Sequence, residues 1–194
     1  MKKVQIILMG GKTGTGKTTV ADEVARILGT ERIKSYATRP MRPGENEKTD
    51  HYFISKDDVE KYRDDIAAYT EINGFEYFTT WSMLKASDGY VYVIDPVGIE
   101  YLKETVKKAG LDDVFDFKVI YITTDADVQM RRLIERGDDA ETIASRMKSE
   151  AAQFERFERE NKDNPDVLFV DNSGDLNESV EAVLKFLKKK ETSD

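Results

Sequence analysis

Residues 11–18 read Gly-Lys-Thr-Gly-Thr-Gly-Lys-Thr, and no other stretch restricts the chain's fold so severely. They satisfy the pattern G-x-x-x-x-G-K-[ST] at Gly11, Gly16, Lys17 and Thr18. Glycines let backbone N–H groups converge on phosphate oxygens, and a lysine adds a mobile positive charge. A hydroxyl at the Thr18 position is placed to hold a Mg²⁺ that bridges the outer phosphates. The flanks agree with this reading. Residues 4–9 form a short apolar, strand-like run, and residues 18–28 carry helical spacing at Val20, Val24, Ile27 and Leu28. A helix starting here aims the positive end of its dipole at the bound anion. The stretch reads as a nucleotide-phosphate site.

With 194 residues, the chain is sized for one domain, or one core with small insertions. A hydrophobic content of 39% beside 35% charged residues suits a well-solvated globule. The formal charge of −8 argues against a general nucleic-acid binder, though local arginine clusters can still be electropositive. With no cysteine, disulfides and thiolate metal sites are excluded. The apolar run after Met1-Lys2-Lys3 is too short for a signal peptide, and no segment approaches a membrane span. A cytoplasmic protein without nucleic-acid or membrane partners is expected.

Strand-like runs recur at residues 4–9, 90–94, 117–122 and 167–170. Helical patterns lie between and after them, at 18–28, 97–108, 125–135, 141–162 and 176–190. This alternation predicts an α/β fold, a parallel sheet flanked by helices. The stretch 39–83 breaks the rhythm. It opens on Arg39-Pro40-Met41-Arg42-Pro43-Gly44, a loop sequence, then alternates as a small, mostly antiparallel insertion would. Residues 1–38 and 84–194 are expected to form the core, with a lid at about 136–145 around Gly137. Lys188-Lys189-Lys190 reads as a solvated helix end that complements the macrodipole.

Several segments, in order, resemble the guanylate kinase family of nucleoside monophosphate kinases, which share the P-loop NTPase fold. Besides the phosphate loop these are residues 35–45, running from Ser35-Tyr36-Ala37 to Gly44-Glu45, and His51-Tyr52-Phe53. Gly74-Phe75-Glu76-Tyr77, Ile94-Asp95-Pro96-Val97-Gly98 and Arg132-Leu133-Ile134-Glu135-Arg136-Gly137 complete the set. The resemblance implies phosphoryl transfer from ATP, with Mg²⁺, to a nucleoside monophosphate, most simply GMP or dGMP. Thr13, Gly14, Thr15 and Thr19 would join Gly11, Gly16, Lys17 and Thr18 around ATP, with Thr18 on the metal. Arg39 and Arg42 would grip the acceptor phosphate, helped by the hydroxyls of Tyr52 and Tyr77; guanidinium groups suit this because their bonds to phosphate are directional and charge-assisted. Arg132, Arg136 and Arg146 would stabilise the transferring group from the lid, with Lys17 and Arg39. Ser35, Thr79 and Asp95 keep polar groups at acceptor positions. A donor-adenine contact is implied near Asp171-Asn172, and the assembly would be a monomer or homodimer. His51, the only histidine, reads as a neighbour of Tyr52.

The base-reading positions depart from the family. Ala68 stands where the family has a glutamate, Val93 where it has an acidic residue, and Val97 where it has a glutamine. Glu71 is close to Ala68, but three residues along a strand turn a side chain to the opposite face, so rescue requires a bulge. Guanine presents N1–H and N2–H₂ on one edge, and alanine accepts neither. The acceptor is therefore open to relaxed specificity, another base, or a sugar phosphate such as ribose bisphosphate. A non-catalytic protein-binding module is the rival from another class, against which Gly16, Lys17 and Thr18 stand.

Overall fold

Four consecutive residues, Ile6, Ile7, Leu8 and Met9, are at most 2% exposed. A run buried on both sides is the mark of a central parallel strand, and the computed structural model, which describes residues 3–42, 45–46, 50–85 and 89–191, places it there. β1 (Val4–Gly10) leads through the phosphate loop into α1 (Lys17–Leu28), followed by a two-residue edge strand, β2 (Glu31–Arg32). Next come β3 (Tyr36–Ala37), β4 (Tyr52–Phe53), a 3₁₀ segment (Asp57–Asp65), β5 (Ile66–Ile72), β6 (Phe75–Thr80) and α2 (Trp81–Leu84). β7 (Gly89–Val93), α3 (Pro96–Lys108), β8 (Phe115–Thr123), α4 (Ala126–Glu135), α5 (Ala140–Asn161), β9 (Val167–Asp171) and α6 (Leu176–Glu191) complete the chain.

The main sheet has the order β2-β7-β1-β8-β9, and all its pairings are parallel. Period-two alternation divides β1 between two layers. Ile6 and Leu8 pack with Ile99 and Leu102 of α3 and Phe154 and Phe157 of α5. Ile7 and Met9 pack with Val20 and Val24 of α1 and Val180 and Val183 of α6. Helices therefore cover both faces, as the alternating pattern predicts. β2 has no periodic signature, since its two residues are an edge pairing with β7.

A second sheet, β4-β3-β6-β5, is antiparallel at β3/β6 and β5/β6 and parallel at β3/β4. Its strand β3 comes from residues 36–37, ahead of the 39–83 stretch. β5 packs on α3, where the Thr105 hydroxyl donates to the Ala67 carbonyl at 2.6 Å. The register of β5 on β6 shifts between Ile66 and Ala68. Pro43 and Gly44 of the two-arginine loop, and the side chain of Lys190, lie outside the described residues.

β1 is flanked by β7 and β8, which follow it in the chain on opposite sides. Chain direction thus reverses outside its carboxyl end, where open α/β sheets form ligand crevices.

Candidate active site

A cavity of about 930 Å³ opens at that carboxyl end, between the two sheets. Its floor on the core side is the phosphate loop. Gly11 has φ +141° and Gly16 φ +87°, values L side chains rarely adopt. A Cβ on Gly11 would lie 2.3 Å from the Ile122 carbonyl oxygen, and one on Gly16 would lie 2.4 Å from Asn172 Nδ2. The glycines are thus dictated by backbone sign and by close packing together. Asn172, 3% exposed, fastens the loop: its Nδ2 donates to the Thr15 carbonyl at 2.8 Å and its Oδ1 accepts from Ser179 at 3.0 Å. That side chain ties the loop to α6, a role that the adenine contact implied near Asp171-Asn172 does not anticipate.

Lys17 donates to the Lys12 carbonyl at 2.7 Å from a half-buried position. Burial pulls its pKa down to about 8, with Glu150 opposing the drop and Arg136 adding to it. Thr13, Gly14, Thr18 and Thr19 line the cavity with Gly11, Gly16 and Lys17. Thr15 does not. It is 3% exposed, and its hydroxyl donates back to the Lys12 carbonyl at 2.9 Å, so its side chain closes the loop from within.

Across the cavity, Arg39 is 6% exposed, with its terminal nitrogens donating to the two carboxylate oxygens of Glu45 at 2.6 Å each. Glu45 also accepts the Arg42 backbone N–H at 2.8 Å. Burial alone would raise the Glu45 pKa, but the Arg39 guanidinium and the Arg42 amide hold it near 2. Arg42 is pulled down to about 10 by burial and by the neighbouring charges of Arg39 and Arg146. It stays protonated at neutral pH, so the effect records crowding of like charge. The Nε atoms of both Arg39 and Arg42 are buried and unpartnered among the described residues. Crowded, incompletely bonded guanidiniums have the chemistry to receive an anion.

Tyr77 lines the cavity, its phenolic oxygen accepting from the Arg39 guanidinium. Tyr52 does not line it. The Tyr52 ring lies under the Lys34 ammonium at 3.7 Å and against Tyr36 at 5.1 Å, on the opposite side of β4. Strand alternation turns its neighbour His51 inward instead, where His51 Nδ1 meets the Ser35 hydroxyl at 3.0 Å. Burial, and then the Arg39 charge, lower the His51 pKa to about 4. The structure therefore puts His51, and not Tyr52, on the cavity wall, a placement that the motif His51-Tyr52-Phe53 cannot show. Thr79 is also corrected: it is fully buried, its hydroxyl donating to the Met83 sulphur at 3.4 Å.

Arg132, Arg136 and Arg146, the arginines expected of the lid, all line the cavity. Arg132 donates to the Thr15 carbonyl at 3.3 Å and the Asn172 carbonyl at 2.9 Å. Arg136 and Arg146 both pair with Asp138, the latter at 3.1 Å. Gly137, at φ +87°, turns the chain from α4 toward α5, and Asp139 caps α5 by accepting the Thr142 N–H. Asp95 caps α3, its Oδ1 accepting from Val97 N–H at 2.9 Å and Gly98 N–H at 3.1 Å, and it lines the cavity as well. Burial raises its pKa. Val93 lines the cavity, whereas Val97 is 39% exposed outside it. Thr70, unnoticed in the sequence, lines the cavity near Asp95.

Among the described residues no cluster of three His, Asp or Glu side chains can hold a metal ion. The Thr18 hydroxyl is exposed to the cavity beside the phosphate cradle. A single protein hydroxyl fits an ion that keeps its waters and takes its other oxygens from phosphates, which is the habit of Mg²⁺. No helix among the described residues is long and apolar enough to cross a membrane.

Residues 7–164 match the AAA domain family. The chain is 30% identical to a guanylate kinase of Vibrio parahaemolyticus over 173 residues, covering 81% of this chain and 79% of that protein. It is 27% identical to a guanylate kinase of Agrobacterium fabrum over 187 residues, covering 93% and 81%. The crystal structure of guanylate kinase from Anaplasma phagocytophilum superposes with a TM-score of 0.64 over 98% of this chain and 88% of that one, at 21% identity. A gluconokinase from Sinorhizobium meliloti gives 0.52 over 97% and 94%, at 15% identity. At such identities, these two show a common fold.

Proposed function

We propose, from the premise that this chain belongs to the guanylate kinase family, that it transfers the γ-phosphoryl group of ATP to GMP or dGMP. One observation carries the acceptor half of this reading. The phosphate loop and the Arg39–Arg42 pair face a single cavity, and the two buried Nε–H groups of that pair lack partners among the described residues. A kinase acting on a phosphomonoester needs two anion sites in one water-poor space, one for the donor's tail and one for the acceptor.

In the reaction, the loop amides and Lys17 hold the β- and γ-phosphates of ATP. Arg39, Arg42 and Tyr77 hold the acceptor phosphate, with His51 and Ser35 beside it. One acceptor oxygen forms a bond to the γ-phosphorus as the bond to the β,γ-bridging oxygen breaks, and ADP leaves with that electron pair. The acceptor is largely a dianion at neutral pH, so neither a protein nucleophile nor a strong base is required. Positioning and charge neutralisation supply the acceleration. Mg²⁺, beside Thr18, would neutralise charge on the donor phosphates. Arg132, Arg136 and Arg146 bring further positive charge in and beside the 136–145 lid, whose closure would keep water from the γ-phosphate. ATP and nucleoside monophosphates are cytoplasmic metabolites, and the reading places the protein with them.

Steady-state assays with ATP and a panel of GMP, dGMP, AMP, CMP, UMP and ribose bisphosphate test this. Turnover of GMP and dGMP above the rest is the expected result. Failure to phosphorylate any nucleoside monophosphate, in a preparation that binds Mg·ATP, would sink it.

A further inference from the structure

The acceptor half of the cavity ends on a ladder of three cross-strand pairs between β5 and β6. Ile72 faces Phe75, Thr70 faces Tyr77, and Ala68 faces Thr79. Side chains of the first two pairs line the cavity. The third is sealed, with Ala68 at 1% and Thr79 at 0% exposure. Thr70 is therefore the deepest polar group that β5 offers to a ligand. It lies on the same side of the strand as Ala68, two residues away, where Glu71 does not.

Asp95 stands opposite. One of its oxygens is taken by the two amides at the start of α3, and the Thr70 hydroxyl bonds to the same carboxyl group. Ile72, Phe75, Tyr92 and Val93 add flat or apolar surface to the same cavity. An apolar slot closed by a small polar group suits a planar heterocycle with one hydrogen-bonding edge.

The direction of the bonds fixes which edge. A carboxylate can only accept, so the single hydroxyl proton of Thr70 goes to Asp95. What Thr70 then turns to a ligand is a lone pair, beside the acceptor oxygens of Asp95. Two neighbouring acceptors call for two neighbouring donors. Adenine and cytosine place a bare ring nitrogen next to their amino group, and uracil sets its one N–H between two carbonyls. Guanine alone among the common bases presents N1–H beside N2–H₂. We infer that Thr70, oriented by Asp95, is a specificity-determining residue that selects a guanine-type donor–donor edge at the position Ala68 leaves without an acceptor. The inference rests on the nucleoside monophosphate kinase reading above.

Thr70→Val and Thr70→Ser, with Thr70→Ala as a second removal of the hydroxyl, test it through kcat and KM for GMP, IMP and AMP at saturating Mg·ATP. IMP keeps N1–H and lacks the amino group. Loss of the hydroxyl should lower kcat/KM for GMP about 10- to 100-fold, mostly through KM, and narrow the GMP preference over IMP and AMP. Thr70→Ser should stay within about threefold of the parent, and Mg·ATP affinity should not move in any variant. If Thr70→Val and Thr70→Ala, folded by circular dichroism, keep the parent's GMP:AMP and GMP:IMP ratios, the inference is overturned and the kinase reading stands. A parent enzyme that phosphorylates nucleoside monophosphates without preferring GMP overturns it too. A parent that binds Mg·ATP and phosphorylates none of them overturns both.

Discussion

Glu150, on α5, accepts the backbone N–H of Thr13 at 3.2 Å, so a carboxylate from that helix rests against the phosphate loop. It also acts on Lys17, where its charge partly offsets the loss of basicity caused by burial. An amide of the loop thus carries an internal anion in the place where a phosphate would be received.

Removing that carboxylate should favour the nucleotide. Glu150→Gln keeps the shape and deletes the competing charge, so Mg·ATP should bind about 3- to 10-fold more tightly, corresponding to the 0.5–1.5 kcal/mol or so of a single partly exposed contact. Calorimetric titration at low and high salt checks this. The gain should shrink as salt rises, and an unchanged or weakened affinity would show that Glu150 does not compete.

Lys17 is held charged at the expense of stability. Its pKa is about 8 in the folded protein against an ordinary value of 10.5. Between those values the folded protein binds fewer protons than the unfolded chain, so the free energy of unfolding rises with pH across the window. Below about pH 8 the whole cost of burying the charge is present. Lys17→Met should abolish at least about 99% of ADP formation and flatten the pH dependence of stability between 8 and 10.5. Urea denaturation at several pH values, beside a coupled ADP assay, gives both readings.

Glu45 has the opposite sign. Its folded pKa, near 2, lies below the ordinary 4.5, so its contribution is fully present above pH 4.5 and lost as pH falls toward 2. Because Arg39 is 6% exposed, Glu45→Gln leaves a buried guanidinium short of countercharge. The variant should be about 2–4 kcal/mol less stable at pH 7 and lose less on acidification than the parent. Thermal melts from pH 7 to pH 2 decide the matter.

The two tyrosines should separate. Tyr52 lies outside the cavity under Lys34, whereas Tyr77 reaches Arg39 from inside. Tyr52→Phe is expected to leave kcat/KM for the acceptor within about twofold. Tyr77→Phe should lower it about 5- to 30-fold, the cost of one hydrogen bond to a charged group. Equal losses in both variants would contradict the inward placement of His51.

Gly16→Ala should fail more completely than an ordinary surface change. The new Cβ would meet Asn172 Nδ2 at 2.4 Å from a left-handed backbone, so the loop must open or release Asn172. Loss of measurable Mg·ATP binding together with a stability drop of about 2–4 kcal/mol is expected. Binding and melting experiments on one preparation check both.

The site was legible in the sequence where chemistry depends on local spacing. Gly11 to Thr18 form one turn between a strand and a helix, and Arg39 and Arg42 share one short loop. Such groups are placed by neighbours within a few residues. Tyr52, Thr79 and Thr70 were not legible, because the face a strand turns to a ligand depends on what packs against its other side. At β4 that partner is Tyr36 on the neighbouring strand, and at Thr79 it is Met83, the following turn. A motif two or three residues long holds both faces at once and does not choose between them.

What the chain's order of residues determined by itself was the parallel core and the phosphate loop. Buried runs such as Ile6 to Met9 admit few other folds, and positive-φ glycines admit few other turns. What only the tertiary structure decided was which side chains share the cavity. Asp95 meets Thr70, and Glu150 meets Thr13, across separations that no local pattern encodes. Hydrophobic periodicity is enforced by the backbone's own repeat, whereas contacts between distant segments exist only after the layers have packed.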